Sequence, residues 1–348
     1  MEFVRKKKED RPVLAICYDF DKTLSPDDMQ AQGYIQSVGY DVAKFWKEAN
    51  DSARDNDMDS NLAYMLKMVQ EAEGNILFTK QALMEYGSHV KLFPGVEDWF
   101  ERVRRYGEEN GVIVEHYIIS SGLKEMIEGT VMARNGAFEK IYACSFYYNE
   151  RGIAIWPAQV INYTTKTQFL FRIEKGVLDI NDPGVNDYFP PEEMRVPFRN
   201  IVYIGDSDTD IPCMKLVDAN NGHAIGVYNP EVGNKTKVYN MVRDKRISYF
   251  APADYREGSE LDNLLQAIIR KTAAYEALEV CHVRAKKEAD DNLHHRETLE
   301  TLKKVVELEQ TTGGSLADTH DTDDDFEYVE DIAFRSALSK LKMTKDTQ

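Results

Sequence analysis

Apolar runs of strand length alternate along the chain with amphipathic, helix-type patterns. The runs lie at residues 13–17, 112–119, 198–204 and 223–228, with a weaker one at 247–251. Largely apolar runs of this length are typical of strands that are buried on both faces of a parallel sheet. Because helical patterns separate successive runs, we predict an α/β fold with a doubly wound, mostly parallel sheet.

One long helical stretch interrupts this alternation. From Met29 to Tyr86 the pattern is helical and amphipathic, and glycines divide it into pieces. Roughly 60 residues exceed what one crossover between strands needs, so we expect an all-helical insertion over residues 28–90. Ordinary crossover helices are the alternative interpretation. Further along, residues 141–161 alternate around a turn at 149–152, which predicts a β-hairpin.

The C-terminal part of the chain differs from the α/β region, which we expect to occupy residues 10–27 and 91–257. Residues 258–310 form a predicted helical extension of one helix or two, and no sustained heptad repeat decides for a coiled coil. Residues 311–348 begin with a Gly-rich linker and continue into an acidic run, so we expect a solvated, flexible tail. Self-association or a protein partner at this extension stays open.

Composition and charge argue against several partners. The net charge of −17 argues against general binding of nucleic acid through its phosphates, and an anionic substrate would need local positive charge. No apolar run approaches the ~20 residues of a membrane span, and the basic N-terminus lacks the apolar h-region that a secretory signal needs. The four cysteines are scattered without a CxxC pair, which indicates free thiols and a cytoplasmic protein.

The first candidate for chemistry follows the first apolar run, in the sequence Asp19-Phe20-Asp21-Lys22-Thr23. Ligands of open α/β sheets bind at the carboxyl ends of the strands. Carboxylates clustered there need a cation or a proton to offset their repulsion, and Mg²⁺ is the hard divalent ion that best suits oxygen ligands. One carboxylate could then act as a nucleophile and the other as an acid/base. The alternative is a turn in which Asp and Thr cap local amides.

Three further clusters occur later in the chain. Ser120-Ser121-Gly122 ends the second strand and starts a helix, an arrangement that binds anions or simply caps the helix. Lys166 is predicted in the first turn of a helix capped by Thr164 and Thr165, where most lysines are solvated. Acids at positions 206, 208 and 210 follow the third strand and again indicate a cation; they lack the glycine and closing glutamate of an EF-hand.

Together these clusters resemble the four motifs of the haloacid dehalogenase superfamily, in the order Asp19/Asp21/Thr23, Ser120, Lys166 and Asp206/Asp210. The resemblance covers residues 10–257. It implies a Rossmann-like core, and the helical insertion resembles the cap of phosphoserine phosphatase and its relatives. Those enzymes have a Glu shortly after the first motif, and Asp28 is the nearest counterpart here.

The resemblance also implies a role for each matching residue. Asp19 is then the nucleophile that becomes a phospho-aspartate, and Asp21 is the general acid/base. Lys166 offsets charge near the nucleophile. The phosphoryl group would be bound by Thr23, Ser120, Ser121, Gly122 and Lys166. Mg²⁺ would be bound by Asp19, by Asp21 through its backbone carbonyl, and by Asp206, with Asp210 supporting Lys166 or the metal's waters.

We therefore expect a Mg²⁺-dependent phosphatase that acts on a small phosphorylated metabolite, with no nucleic-acid or membrane partner. Asp21 favours phosphate esters over halides, because an alkoxide leaves poorly without a proton. A phosphomutase is the alternative among enzymes. From another class, an interaction protein would use the C-terminal helix and the acidic tail.

Overall fold

The computed structural model describes residues 3–311 of the 348-residue chain. Seven strands form one sheet: β1 (Val13–Tyr18), β2 (Ile113–Leu123), β3 (Lys140–Tyr148), β4 (Ala154–Gln159), β5 (Ile201–Gly205), β6 (His223–Tyr228) and β7 (Tyr249–Pro252). Their spatial order is β4-β3-β2-β1-β5-β6-β7. Adjacent strands pair in parallel, except that the edge strand β4 is antiparallel to β3. The predicted doubly wound, mostly parallel sheet is confirmed.

Helices connect the strands, and four of them make up the insertion after β1. The α-helices are α1 (Tyr34–Ser37), α2 (Val42–Asp55), α3 (Ser60–Ala72), α4 (Lys80–Ser88), α5 (Val96–Glu109), α6 (Lys124–Gly129), α7 (Val131–Arg134), α8 (Thr167–Lys175), α9 (Ile211–Ala219), α10 (Thr236–Arg243) and α11 (Glu260–Thr311). Helices α1–α4 confirm the all-helical character of the insertion.

Strand β1 is the switch point of the sheet. It pairs with β2 on one side and with β5 on the other, and its last residue, Tyr18, lies opposite Ile118 and Ile204. All six β1 residues are buried, which explains the uninterrupted apolar run. The carboxyl ends of β1, β2 and β5 therefore meet at one edge of the sheet, where ligands of such folds bind.

Several boundaries differ from the sequence-based prediction. The predicted hairpin forms from β3 and β4, but β3 also pairs in parallel with β2 and thereby extends the main sheet. Strand β5 begins at Ile201 and not at Phe198, because a 3-10 turn over Phe198–Asn200 follows Pro197. The helix predicted after Gly122 is two short helices, α6 and α7, separated by the extended residue Thr130.

The chain divides into two compact units, Met1–Glu276 and Ala277–Gln348. Within the first unit, α11 contributes buried side chains at Leu261, Leu265 and Ile268. The predicted extension is one continuous helix, whereas residues 312–348 of the predicted acidic tail lie outside the described part of the chain. Among the described helices, none has the length and apolar character that a membrane crossing requires.

Candidate active site

A tight loop after β1 carries the first pair of carboxylates. The Asp19 amide donates to the Ile204 carbonyl at 3.0 Å, which extends the pairing of β1 with β5 by one bond. The carbonyl of Phe20 then accepts bonds from the amides of three later residues, the last of which is Ser25. Lys22 takes a left-handed conformation with φ +58° within this loop. Such strain in a residue with a side chain is typical of functional loops.

Asp19, Lys166 and Asp210 form a buried ion-paired chain. The Lys166 Nζ lies 3.1 Å from Asp19 Oδ1 and 2.7 Å from Asp210 Oδ1, and the lysine side chain is wholly buried. The other bonds to Asp210 come from the Tyr203 hydroxyl and from the backbone and hydroxyl of Ser207. Both oxygens of Asp210 therefore already accept hydrogen bonds, so this residue holds Lys166 in place beside Asp19.

Asp206 completes a cluster of carboxylates. Oxygen atoms of Asp19, Asp206 and Asp210 lie within 4.8 Å of one another. Burial, with the nearby Asp210 and Asp19, raises the pKa of Asp206 to about 8. Its Oδ1 is buried and has no hydrogen-bond partner among the described residues. Carboxylate oxygens are the ligands that a hard divalent cation prefers, so the unpaired Asp206 Oδ1 beside Asp19 fits Mg²⁺, whereas Asp210 already has donors at both oxygens.

The pKa of Asp19 is also raised, to about 6. Burial is the largest cause and repulsion by Asp210 is the second, while Lys166 opposes both. A cation bound to the carboxylate cluster would offset its negative charge and would therefore favour the ionised form of Asp19. A nucleophilic carboxylate needs that form.

Asp21 lies on the same loop as Asp19 but in a different environment. Burial, followed by the charges of Asp28 and Asp19, raises its pKa well above the ordinary value. Its Oδ1 accepts a bond from the Met29 amide at 2.9 Å. A Cβ at Gly122 would stand 3.0 Å from Asp21 Oδ2 and 2.4 Å from the terminal methyl of Met29, so Gly122 lies directly against the Asp21 carboxylate. Asp21 can therefore hold a proton and release it, as a general acid/base must.

The end of β2 supplies hydroxyl groups. The Ser120 Oγ accepts a bond from the Gly122 amide at 3.0 Å, which leaves its own hydrogen to donate. The Ser121 Oγ and the Thr23 Oγ1 are buried and have no hydrogen-bond partner among the described residues. Free hydroxyl donors at the carboxyl edge of a parallel sheet suit an anionic ligand such as a phosphoryl group.

A cavity of about 210 Å³ opens over these groups. Most of the sequence-predicted site residues line it, whereas Thr23, Lys166 and Asp210 lie outside its lining. The prediction that Lys166 lies in the first turn of a helix was wrong, because Lys166 is the last residue of a 3-10 turn that begins after Asn162. Asn162 caps that turn, and Thr164 and Thr165 do not. The lining residues are Asp19, Asp21, Lys22, Asp28, Gln30, Trp46, Asn61, Tyr64, Ser120, Ser121, Gly122, Asp206, Ser207 and Thr209.

Sequence reasoning missed the side chains that the helical insertion adds to this cavity. Gln30 precedes α1, Trp46 lies on α2, and Asn61 and Tyr64 lie on α3. Helical periodicity orients the apolar face of each helix but does not say which polar residue faces a site. The buried Asn61 near the start of α3 carried no recognisable motif.

Comparisons with known proteins are consistent with the motif order. The family model described as haloacid dehalogenase-like hydrolase matches residues 16–215. An uncharacterised protein of Borreliella burgdorferi is 26% identical over 277 residues, which span 72% of this chain and 94% of that protein.

Two solved structures are similar to this chain. A HAD family hydrolase from Salmonella enterica serovar Typhi is 17% identical, with 75% of this chain and 73% of that one covered and a TM-score of 0.48. A probable phosphoserine phosphatase from Vibrio cholerae is 12% identical, with 76% and 67% covered and a TM-score of 0.47.

Proposed function

The chain belongs to the haloacid dehalogenase-like hydrolase family, and we propose that it is a Mg²⁺-dependent phosphatase that hydrolyses a phosphate monoester of a small metabolite. One observation carries the proposal. Two carboxylates on one loop have different environments: Asp19 is ion-paired with Lys166, whereas Asp21 has a pKa well above its ordinary value and forms no salt bridge with any residue in the described part of the chain. Such a pair suits a nucleophile and a general acid.

The proposed reaction has two halves. In the first, an oxygen of Asp19 forms a bond to phosphorus while the ester oxygen leaves, and Asp21 gives that oxygen its proton. In the second, Asp21 as a carboxylate takes a proton from water, the water oxygen bonds to phosphorus, and the bond to Asp19 breaks. Phosphate is released and both aspartates return to their initial protonation states.

Surrounding groups would stabilise the transferring phosphoryl group. Lys166 keeps positive charge 3.1 Å from the nucleophile, and the hydroxyls of Ser120 and Ser121 are available as donors to phosphoryl oxygens. Asp19 and Asp206 would hold Mg²⁺, which, when bound, supplies positive charge against the phosphoryl oxygens. Fixed donors aimed at developing charge in a water-poor cavity are usually the largest contribution to such catalysis.

The test is phosphate release from a panel of small phosphate esters, measured for wild type, Asp19→Asn and Asp206→Asn. We expect Mg²⁺-dependent release that chelation abolishes and that Asp19→Asn lowers by at least about 10³-fold. Asp208→Asn is the matched control, because Asp208 is exposed in the same loop, and its activity should equal wild type. An isomerised ester without free phosphate would identify a mutase and contradict the proposal, as would full activity of Asp19→Asn.

A further inference from the structure

The cavity extends beyond the phosphoryl-binding residues to a wall that the helical insertion supplies. Five side chains make this wall, and we call them the cap wall: Asp28, Gln30, Trp46, Asn61 and Tyr64. They come from the segment before α1 and from helices α2 and α3. A leaving group attached to a phosphoryl group at Asp19 would meet these side chains.

The cap wall offers no positive charge. Its one ionisable acid, Asp28, is paired with Lys22 at 2.8 Å, and Lys22 is the only basic residue among those that line the cavity. A substrate carboxylate would therefore meet no free cation, and an uncompensated buried carboxylate costs several kcal/mol. The described lining thus disfavours an amino-acid phosphate, whose leaving group carries a carboxylate.

Two polar atoms of the cap wall are buried and unpaired. The Gln30 side chain is 2% exposed and its Oε1 accepts no hydrogen bond from the described residues. The Trp46 Nε1 is also buried, and it donates no hydrogen bond to the described residues. A buried polar group left without a partner costs about 1–3 kcal/mol, so both atoms are suited to a ligand that supplies the missing bonds.

The other two members of the cap wall are already engaged. The Tyr64 hydroxyl donates to the Ser121 carbonyl at 2.9 Å, and the side-chain Nδ2 of Asn61 donates to the Ile161 carbonyl at 2.7 Å. These bonds attach α3 to the end of β2 and to the segment after β4. Asn61 and Tyr64 therefore hold the wall in position, whereas Gln30 and Trp46 remain free to bind.

We propose that Gln30 and Trp46 select the leaving group, and that this group is an uncharged alcohol with further hydroxyls, of the sugar or polyol type. A hydroxyl can accept from Trp46 Nε1 and donate to Gln30 Oε1. The cavity of about 210 Å³ leaves room for an alcohol beside the phosphoryl group. This inference rests on the proposed phosphatase function.

The experiment compares kcat/KM for phosphate esters of glycerol, ribose and glucose with that for O-phosphoserine, with p-nitrophenyl phosphate as the reference substrate. We expect wild type to favour at least one sugar or polyol ester over O-phosphoserine by about tenfold or more. Trp46→Phe keeps an aromatic ring and removes the donor, and Gln30→Met keeps the length and removes the acceptor. Each should lower the ratio of the preferred ester to p-nitrophenyl phosphate by about 10- to 100-fold, mainly through KM.

Trp156→Phe is the matched control, because its indole lies on the edge strand β4 and is 69% exposed; its ratio should equal that of wild type. If wild type prefers O-phosphoserine to every sugar and polyol ester, the inference is overturned and the phosphatase function stands. An unchanged ratio in a folded Trp46→Phe protein overturns it as well. Absence of Mg²⁺-dependent hydrolysis of p-nitrophenyl phosphate by wild type would instead contradict the phosphatase function itself.

Discussion

At the scale of single residues, Lys166 links catalysis with stability. It is wholly buried between Asp19 and Asp210, at 3.1 Å and 2.7 Å. The free-energy cost of burying the two carboxylates is offset only while the lysine cation is present. Removal of one partner of a buried ion pair therefore destabilises a protein by about 3–5 kcal/mol. Positive charge beside the nucleophile is also lost when the lysine is removed.

We therefore expect Lys166→Met to lower the free energy of unfolding by about 3 kcal/mol or more and to lower kcat by at least about 10²-fold. Urea unfolding and steady-state phosphate release measure the two effects. Lys215→Met is the control, since Lys215 is exposed on α9, and its unfolding free energy should stay within about 0.5 kcal/mol of wild type. A stable and fully active Lys166→Met protein would contradict the role given to this lysine.

Sequence reasoning could single out three of the candidate site residues because each of them follows a largely apolar run. Asp19, Ser120 and Asp206 come directly after runs whose burial is readable from composition alone. Lys166 was harder, since one lysine in a helical segment has no local signal and is recognised by its order among the motifs. Gln30 and Trp46 were missed, because their function depends on unpaired atoms that only three-dimensional packing reveals.

At the scale of elements, helices α4 and α6 cross with their backbones unusually close. A Cβ at Gly87 would stand 1.9 Å from the Met126 carbonyl oxygen, and a Cβ at Gly129 would stand 2.0 Å from the Met84 carbonyl oxygen. Each helix therefore presents a glycine to the backbone of the other. This crossing attaches the last helix of the insertion to the helix that follows β2.

We expect Gly129→Ala to destabilise the protein by about 1–3 kcal/mol, because backbone atoms must move apart to admit the methyl group. Thermal and urea unfolding measure the effect. Ser88→Ala is the control, because Ser88 is exposed on α4 and also receives an alanine. If Gly129→Ala were as stable as Ser88→Ala, the close crossing would be wrong.

Element types were predicted more reliably than element boundaries. The run 223–228 became β6 over the same residues, because it is largely apolar and ends at turn residues. The helix predicted after Gly122 was too long, because the helical pattern continues through Thr130, where the structure separates α6 from α7. This break lies next to the crossing of α6 with α4. Whether residues 258–310 form one helix or two could not be decided, because the charged stretch contains no breaker and no heptad.

At the scale of the whole molecule, a buried acid joins three distant parts of the first compact unit. Glu115 on β2 accepts bonds from Arg195 at 2.7 Å and 2.8 Å and from Lys6 of the N-terminal segment at 3.0 Å. Arg195 also bonds Glu9 of that segment. The N-terminal segment and the chain before β5 are thus tied to the centre of the sheet.

These bonds make stability depend on pH in a defined direction. Burial alone would raise the pKa of Glu115, but the hydrogen bonds from Arg195 and Tyr117 outweigh it and hold the pKa at about 2, below the ordinary 4.5. Because the pKa of Glu115 is lower in the folded than in the unfolded state, its ionised form contributes to the free energy of unfolding. This contribution is fully present above about pH 4.5 and is lost as the pH falls toward 2. Its size is about 3 kcal/mol.

Arg195→Met should therefore cost about 3–5 kcal/mol of unfolding free energy near neutral pH, and the difference from wild type should shrink as the pH falls. Urea unfolding from about pH 6 to about pH 3 measures it. Arg134→Met, at an exposed position on α7, should show no such trend. A difference that stays constant with pH would contradict the account of Glu115.

The most direct test of the central claim is to detect the covalent intermediate on Asp19. Asp21→Asn should form it and fail to hydrolyse it quickly, because the base that activates water is gone. After the Mg²⁺-loaded variant is mixed with p-nitrophenyl phosphate, whose leaving group needs no proton from Asp21, and quenched in acid, mass spectrometry should find one added phosphoryl group on the peptide that contains Asp19, and none in Asp19→Asn/Asp21→Asn. Turnover by wild type with no phosphorylated Asp19 in the variant, or with the label on another residue, would contradict the proposed mechanism.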